Sequence, residues 1–326
     1  MIDGNGAGWN RRQMLAGGLL AGMATAFPAR AATFFGTSLR EKGRAVPGIQ
    51  LYPLSDAVTK DVDATFARLA AMGYRAVETA GFHGKRPQEL KAAADRAGLT
   101  IVSAHVQPQL RMAATDRTLS DPDLGALVDD LNALGVRQVV MPLPLLSDDV
   151  IAAIQAHGFE GLTAGVAAFK LADWQRSAAF LNQRGEALRA AGLALSYHNH
   201  NMEFAPVEGT TGWDVLMHET SPSLVGFEMD VGWVAASGRD PVEVLRHHPG
   251  RVKMLHVKDV DPSTTPNYVG QQVSAPVGKG VVRWPELLHL ARAQAVTGYF
   301  VEQEPPFVTD AFDAMAQSIA YLKGLK

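Results

Sequence analysis

The chain has 326 residues, a formal net charge of -3 and no cysteine. Its composition is 47% hydrophobic, enough for one large core, and no basic run marks a nucleic-acid or anionic-membrane surface. The missing cysteine removes disulfides, thiolate nucleophiles and Cys-ligated zinc.

The N-terminus has the layout of an export signal. Asn10-Arg11-Arg12-Gln13-Met14-Leu15 carries an arginine pair, a weakly apolar run follows from Leu15 to Phe27, and Ala29-Arg30-Ala31 is a small-x-small cleavage pattern. The pair points to the twin-arginine route, so residues 1–32 are expected to be a signal peptide and the mature protein periplasmic or otherwise exported. The run is short for a bilayer span, so no stable membrane anchor is expected. Residues 33–46 read as a leader to the fold and 47–326 as the catalytic domain.

From there the chain alternates short apolar runs with amphipathic stretches. Gly48 to Tyr52 reads as a first strand, and Asp61 to Met72 as a helix with Val62, Phe66, Leu69 and Ala70 on one face, stopped by Gly73. Tyr74 to Glu78 is a second strand, followed by a helix from Pro87 to Ala97 and a stop at Gly98. Leu99 to His105 is a third, with a helix from Leu124 to Leu134 ended by Gly135. Gln138 to Pro142 makes a fourth strand, and a longer helix runs from Ala172 to Ala191. Leu193 to His198, Leu224 to Asp230, Val252 to Val257 and Tyr299 to Gln303 are the remaining strands. Helices fill Asp214 to Glu219, Pro241 to His247, Pro285 to Gln294 and Asp310 to Leu325. Repeated β-then-α units of this number predict an α/β fold, a single closed (β/α)8 TIM barrel. No GxGxxG follows the first strand, which weakens a dinucleotide-binding alternative. Residues 259–280 are long for a loop at the catalytic face and read as a lid or specificity element.

Polar residues cluster where such a barrel builds its active site, at the C-terminal ends of strands. They are Glu78, His105, His198-Asn199-His200, Asp230, His256, Lys258, Glu302 and Glu304. A single one could be structural. Together, converging on a narrow mouth, they would repel or stay unsatisfied unless something compensates, and one divalent cation compensates for all of them. Alternation along the strands puts Glu228 with Asp230, His256 with Lys258, and Glu302 with Glu304 on shared inward faces.

Several segments together resemble one family. They are Gly48-Ile49-Gln50-Leu51-Tyr52, Tyr197-His198-Asn199-His200-Asn201-Met202-Glu203-Phe204, Phe227-Glu228-Met229-Asp230, Leu255-His256-Val257-Lys258-Asp259 and Phe300-Val301-Glu302-Gln303-Glu304. Across nearly the whole mature chain they resemble the xylose-isomerase-like TIM barrels, the sugar phosphate isomerases/epimerases. That resemblance implies one divalent metal held by residues from strands five to eight. Asp230, His256 and Glu302 match three such positions. Many relatives place a glutamate on strand five, where this chain offers His198, with His200 and Glu203 as competitors. The mixed set His198, Asp230, His256 and Glu302 suits manganese, zinc or cobalt better than magnesium.

The expected chemistry is proton abstraction next to a carbonyl in a non-phosphorylated keto-sugar or glycoside, with the metal stabilising the developing enediolate. Glu302 is the expected base, and Glu78 and His200 are the further catalytic candidates. His105, Glu203, Trp233 and Lys258 are the expected substrate contacts, with packing an equal alternative for Trp233. Isomerisation or epimerisation leads by family weight. Elimination or hydration of a 3-keto-glycoside follows, because the strand-five glutamate of a two-base epimerase is missing. An AP-endonuclease activity would need more ligands and a basic groove. A non-catalytic exported sugar-binding protein is the non-enzyme alternative. Self-association as a homo-oligomer is left open.

Overall fold

The structure, a computed structural model, describes residues 47–111, 116–307 and 310–325, and the backbone of 40–41 and 44–45. These all fall in one compact unit, Thr33–Lys326. The expected signal peptide lies outside the described residues, as does most of the expected leader. Among the described residues no helix is long and apolar enough to cross a membrane.

Eight parallel strands close into a barrel in sequence order: β1 Gly48–Gln50, β2 Ala76–Ala80, β3 Thr100–His105, β4 Gln138–Met141, β5 Ala194–His198, β6 Val225–Asp230, β7 Val252–Val257 and β8 Gly298–Val301. The helices are α1 Ser55–Lys60, α2 Val62–Met72, α3 Pro87–Ala97, α4 Leu124–Leu134, α5 Asp148–Ala167, α6 Leu171–Ala190, α7 Gly212–Glu219, α8 Val231–Ala236, α9 Pro241–His247, α10 Trp284–Ala293 and α11 Ala311–Gly324. The α/β-barrel expectation therefore holds, and α3, α4 and α9 keep the bounds read from the sequence.

The strand alternation sorts the side chains. Ile49, Val77, Val139, Leu195, Phe227, Met229, Leu255, Val257 and Val301 join one large buried cluster with helix residues such as Phe66, Leu90, Leu131, Leu181, Leu216 and Ile319. The inward positions form a separate small floor of Val140, Met254 and Phe300, with Val102 packed on it. Phe300 fits only because Gly48 sits beside it: a Cβ there would lie 2.6 Å from the Phe300 ring. Above the floor the inward residues turn polar.

Several expectations need correction. Helix α5 went unassigned because Gly158, Gly161 and Gly165 interrupt its pattern and favour other conformations; the helix bends at Gly158, where φ is 59°. The short α8 after β6 was also missed. Strand β2 starts at Ala76 rather than Tyr74, and β8 ends at Val301 rather than Gln303. Glu302 still donates its N–H to the Val257 carbonyl at 3.3 Å, so it continues the ladder beyond the strand's formal end.

The long segment 259–280 is anchored rather than loose. Asp259–Val260 pairs antiparallel with Ser274–Ala275. The buried Asp259 carboxylate accepts from the backbone N–H groups of Gly278 (2.9 Å), Gly280 (3.2 Å) and Val282 (3.1 Å), and from Trp284 Nε1 (2.8 Å). Further along, Asn201 Nδ2 donates to the carbonyl and side-chain oxygens of Asn267, each at 2.9 Å, and Asn201 Oδ1 accepts from Gly270 N at 3.0 Å.

Gly48→Ala should destabilise the fold by about 1–3 kcal/mol through overpacking against Phe300. Phe300→Leu in the same chain should recover part of that loss. Urea denaturation of the single and double variants measures both.

Candidate metal and substrate site

The inward polar residues occupy two levels. On the lower level, Glu78 from β2 is fully buried. Its Oε1 accepts from Gln50 Nε2 at 2.9 Å, and its Oε2 accepts from the Ser103 hydroxyl. His256 Nε2 lies 2.7 Å and His105 Nε2 3.1 Å from Oε1. Glu228, two residues before the end of β6, is also fully buried. Its Oε2 is 3.0 Å from His105 Nε2, 3.2 Å from His198 Nδ1 and 3.0 Å from His256 Nε2.

The upper level is nearer the mouth. Register sets Asp230 beside His256 and His256 beside Phe300, so the side chains at the strand ends converge. Glu302 Oε2 lies 2.8 Å from His256 Nδ1 and 2.9 Å from Lys258 Nζ. Asp230 Oδ2 lies 2.8 Å from Lys258 Nζ, 3.6 Å from His256 Nδ1 and 3.9 Å from His198 Nε2. Glu304 Oε1 completes the ring around the ammonium at 3.0 Å. The other Asp230 oxygen caps α8 by accepting from Trp233 N at 2.8 Å.

These residues suit a divalent cation. One ligand atom each from Asp230, His256 and Glu302 lies within 4.8 Å of the others. Asp230 Oδ2 is buried and off the line of any hydrogen bond, although the ammonium stands close by. Two carboxylates and an imidazole are a mixed oxygen and nitrogen donor set, with Lys258 paired to the Asp230 oxygen that faces the others. His198, the expected strand-five ligand, stands outside that trio. It belongs to a second close group with His105, Glu228 and His256, while its Nε2 still faces Asp230.

The charges follow from the packing. Burial opposes charge on Lys258, but Asp230, Glu302 and Glu304 overcome it and hold the ammonium protonated. Burial likewise opposes charge on His256, and Glu228 and Glu302 overcome it, so its proton is held well above the usual histidine range. His105 is raised to about 9 by Glu78 and Glu228 against the same burial. Burial would push the Glu302 carboxyl up, but Lys258 and His256 hold it well below the ordinary range, so it is ionised at neutral pH. Glu304 goes the other way: burial and the neighbouring Glu302 raise it. Burial and the surrounding cations lower His198, and burial with Lys258 lowers His200 to about 4, so both rings are neutral.

The other expected site residues are placed as follows. His200 stands beside His198, ring centroids 5.1 Å apart, and its buried Nδ1 has no hydrogen-bond partner within the described chain. Trp233 is buried, with Lys258 Nζ 4.9 Å from its ring centre, so it packs beneath the ammonium. Glu203 does something other than line the mouth. It is fully buried, and it accepts from Tyr197 Oη at 2.6 Å and His200 N at 2.8 Å, pinning the turn after β5. Glu78 lies at the lower level, where its Oε1 meets the Nε2 edge of His256 rather than the Nδ1 edge that meets Glu302. Glu228 was missed as a site residue, although its spacing from Asp230 on an alternating strand was a usable signal.

The family model for xylose isomerase-like TIM barrels matches residues 66–325. The chain belongs to that family. Inosose dehydratase of Clostridium botulinum is 26% identical over 213 residues, 64% of this chain and 66% of that one. Inosose dehydratase of Lacticaseibacillus casei is 28% identical over 195 residues, 58% of this chain and 60% of that one. The chain thus matches somewhat less than two thirds of the length of these curated relatives. A solved sugar phosphate isomerase/epimerase from Parabacteroides distasonis is 26% identical, with a TM-score of 0.67 over 85% of this chain and 97% of that one.

The burial of Glu203 has a pH consequence. Its carboxyl is raised to about 7 chiefly by burial, despite the Tyr197 hydrogen bond. A raised carboxyl loses native stability as pH climbs from its unfolded value through its folded one. Stability of the metal-free wild type should therefore slope downward between pH ~5 and ~7 relative to Glu203→Gln. Denaturant midpoints of both proteins across that range decide it; parallel curves would refute the burial argument.

Proposed function

We propose that this chain is an exported, metal-dependent enzyme that removes a proton next to a carbonyl in a non-phosphorylated keto-sugar or glycoside. The observation that carries this reading is the meeting of Asp230, His256 and Glu302 beside Lys258 at the barrel mouth. Those three residues would hold the ion, with His198 Nε2 as the fourth donor. A bound manganese, zinc or cobalt ion would supply Lewis acidity to the substrate carbonyl and its neighbouring hydroxyl.

The remaining work falls to the chain's own groups. Glu302 is held ionised by Lys258 and His256, which keeps its oxygen free to take a proton while weakening it as a base, so the acidity of the substrate C–H must come from the bound ion. The Lys258 ammonium offsets negative charge that develops on the substrate oxygen. Neutral His200 presents an unpartnered ring nitrogen to a substrate hydroxyl. Glu304, whose carboxyl burial and Glu302 push up, lies 3.0 Å from Lys258 and is a proton donor at the rim.

Return of the proton to the neighbouring carbon isomerises the sugar, and return to the opposite face epimerises it. Loss of a β-oxygen substituent eliminates it: the C–H pair forms the new double bond, the C–O bond breaks, and the departing oxygen takes a proton from Glu304. The relatives named dehydratases support this third outcome, as does the neutral His198 at the strand-five position. Export by the twin-arginine route rests on Arg11-Arg12 and the apolar run behind them. It favours substrates without phosphate, such as a 3-keto-glycoside.

The test uses the metal-loaded chain in deuterated water with a 3-keto-glucoside and with an inosose. Deuterium should enter at the carbon next to the carbonyl, or the β-substituent should leave. Glu302→Gln should slow this by about 10²–10⁴-fold while still binding metal. Exchange that is absent from every keto-sugar tried would leave a binding protein instead of a catalyst.

A further inference from the structure

The proposed chemistry gives no task to the long segment 259–280. Two of its points are fixed on different sides of the barrel mouth. On the β5 side, Asn201 Oδ1 accepts from Gly270 N at 3.0 Å, and Asn201 Nδ2 holds Asn267. On the β7 side, Ser274 pairs with Val260, two residues beyond Lys258. Residues 270–274 therefore cross from β5 to β7 over the end of β6. Two strand spacings are about 10 Å and four extended residues reach about 13 Å, so the crossing has little slack. Trp233 stands at that strand end, its N–H capped by Asp230, with the His200 ring 5.7 Å from its own.

Gln272 is the midpoint of the crossing. Its neighbours Gln271 and Val273 are exposed, Val273 at 50%, whereas both polar atoms of the Gln272 side chain are buried. Neither has a hydrogen-bond partner among the described residues, and the same holds for the Ser274 hydroxyl. The antiparallel ribbon sets the direction in which these groups face. Directly opposed residues share a face and successive residues alternate, so Gln272 and Ser274 lie on the face of Val260 and Lys258. Asp259, on the other face, reaches Trp284 of α10. The Gln272 amide is thus turned to the Lys258 side, toward Trp233 and His200, whose Nε1 and Nδ1 are likewise buried without partners.

The backbone on both sides of Gln272 is held. Gln271 N donates to Asn267 Oδ1 at 3.2 Å, and the Gln271 carbonyl accepts from Asn267 Nδ2 at 2.8 Å. Val273 N donates to Thr264 Oγ1 at 3.0 Å. A side chain on so constrained a stretch has less freedom left to lose on binding.

A buried amide without partners costs free energy that a ligand or a water must recover. We infer that Gln272 is a specificity-determining residue of the substrate site, whose amide holds two adjacent hydroxyls of the sugar ring. Oε1 only accepts and Nε2 only donates, so the pair matches a vicinal diol. One hydroxyl gives its hydrogen to Oε1, and its neighbour accepts from Nε2. The Ser274 hydroxyl lies on the same face as a further partner. The inference rests on the carbohydrate substrate proposed above and adds the chain segment that reads its hydroxyl pattern. The competing account is ordered water that satisfies the amide with no ligand present.

The test compares wild type with Gln272→Met, which keeps the side chain's length and removes both polar atoms, and with Gln272→Glu, which keeps its shape and removes the donor. The metal-loaded proteins are assayed on a 3-keto-glucoside and on its monodeoxy analogues, each lacking one ring hydroxyl. In Gln272→Met, kcat/KM should fall about 10-fold on the parent sugar, and the loss should vanish on an analogue lacking a hydroxyl that the amide holds. Equal loss on the parent and every analogue would mark a disturbed segment and overturn the inference. No loss at all, the result the water account requires, would overturn it too. Should Gln272→Met fail to fold, the same comparison with Gln272→Glu decides. Binding of methyl β-D-glucoside, which has no carbonyl to react, is measured in parallel by calorimetry, and its dissociation constant should rise about 10-fold in Gln272→Met. If wild type turns over no keto-sugar but that rise is found, the proton-abstraction reading fails and the role of Gln272 stands. If turnover is found and neither measurement moves, the role of Gln272 fails alone. If wild type neither reacts with nor binds these sugars, both fail.

Discussion

Buried negative charge is the constraint around which the barrel mouth is built. Glu78, Glu228, Asp230 and Glu302 all lie at or below 5% exposure inside one ring of strands. Each would cost several kcal/mol to bury without a partner. Lys258 answers part of that demand from the centre of Asp230, Glu302 and Glu304. His105 and His256 answer more by holding protons against their own desolvation. What remains is negative, and the remaining charge sits where the ends of β6, β7 and β8 meet.

The barrel makes this arrangement rigid by dividing labour between levels. The floor of Val140, Met254 and Phe300 is apolar and tightly filled, so the polar level above it rests on packed side chains. The next level locks imidazoles between Glu78 and Glu228. The uppermost level gathers Asp230, Glu302 and Glu304 around the single ammonium of Lys258. Outward residues on the same strands pack against helices, so each strand carries core and site on opposite faces.

Much of this was legible in the sequence, for a physical reason. A period of two on strands and glycine stops after helices are local signals, so the barrel and the strand-end residues Asp230, His256 and Glu302 could be read directly. Helix α5 was not legible because its glycines blur the helical period. The depth of a polar residue was not legible either. Glu203 and Glu302 look alike in sequence, yet one is sealed beneath a turn and the other stands at the mouth. Glu228 was read as sharing the inward face with Asp230, but its contact with three imidazoles depends on strands distant in sequence. Asp259 follows Lys258 directly, yet its carboxylate is spent on the backbone of the long segment beyond it. Such distinctions depend on which chain segments meet in space, and no local pattern encodes them.

The clasp between Asn201 and residues 267–270 joins the turn that carries His200 to the segment arching over the barrel after β7. Swinging that arch outward would strip three hydrogen bonds and drag on the turn that holds the histidines. The arch therefore behaves as a fixed wall. One asparagine thus ties two stretches of chain far apart in sequence, so loosening it would slacken both the histidine turn and the arch together.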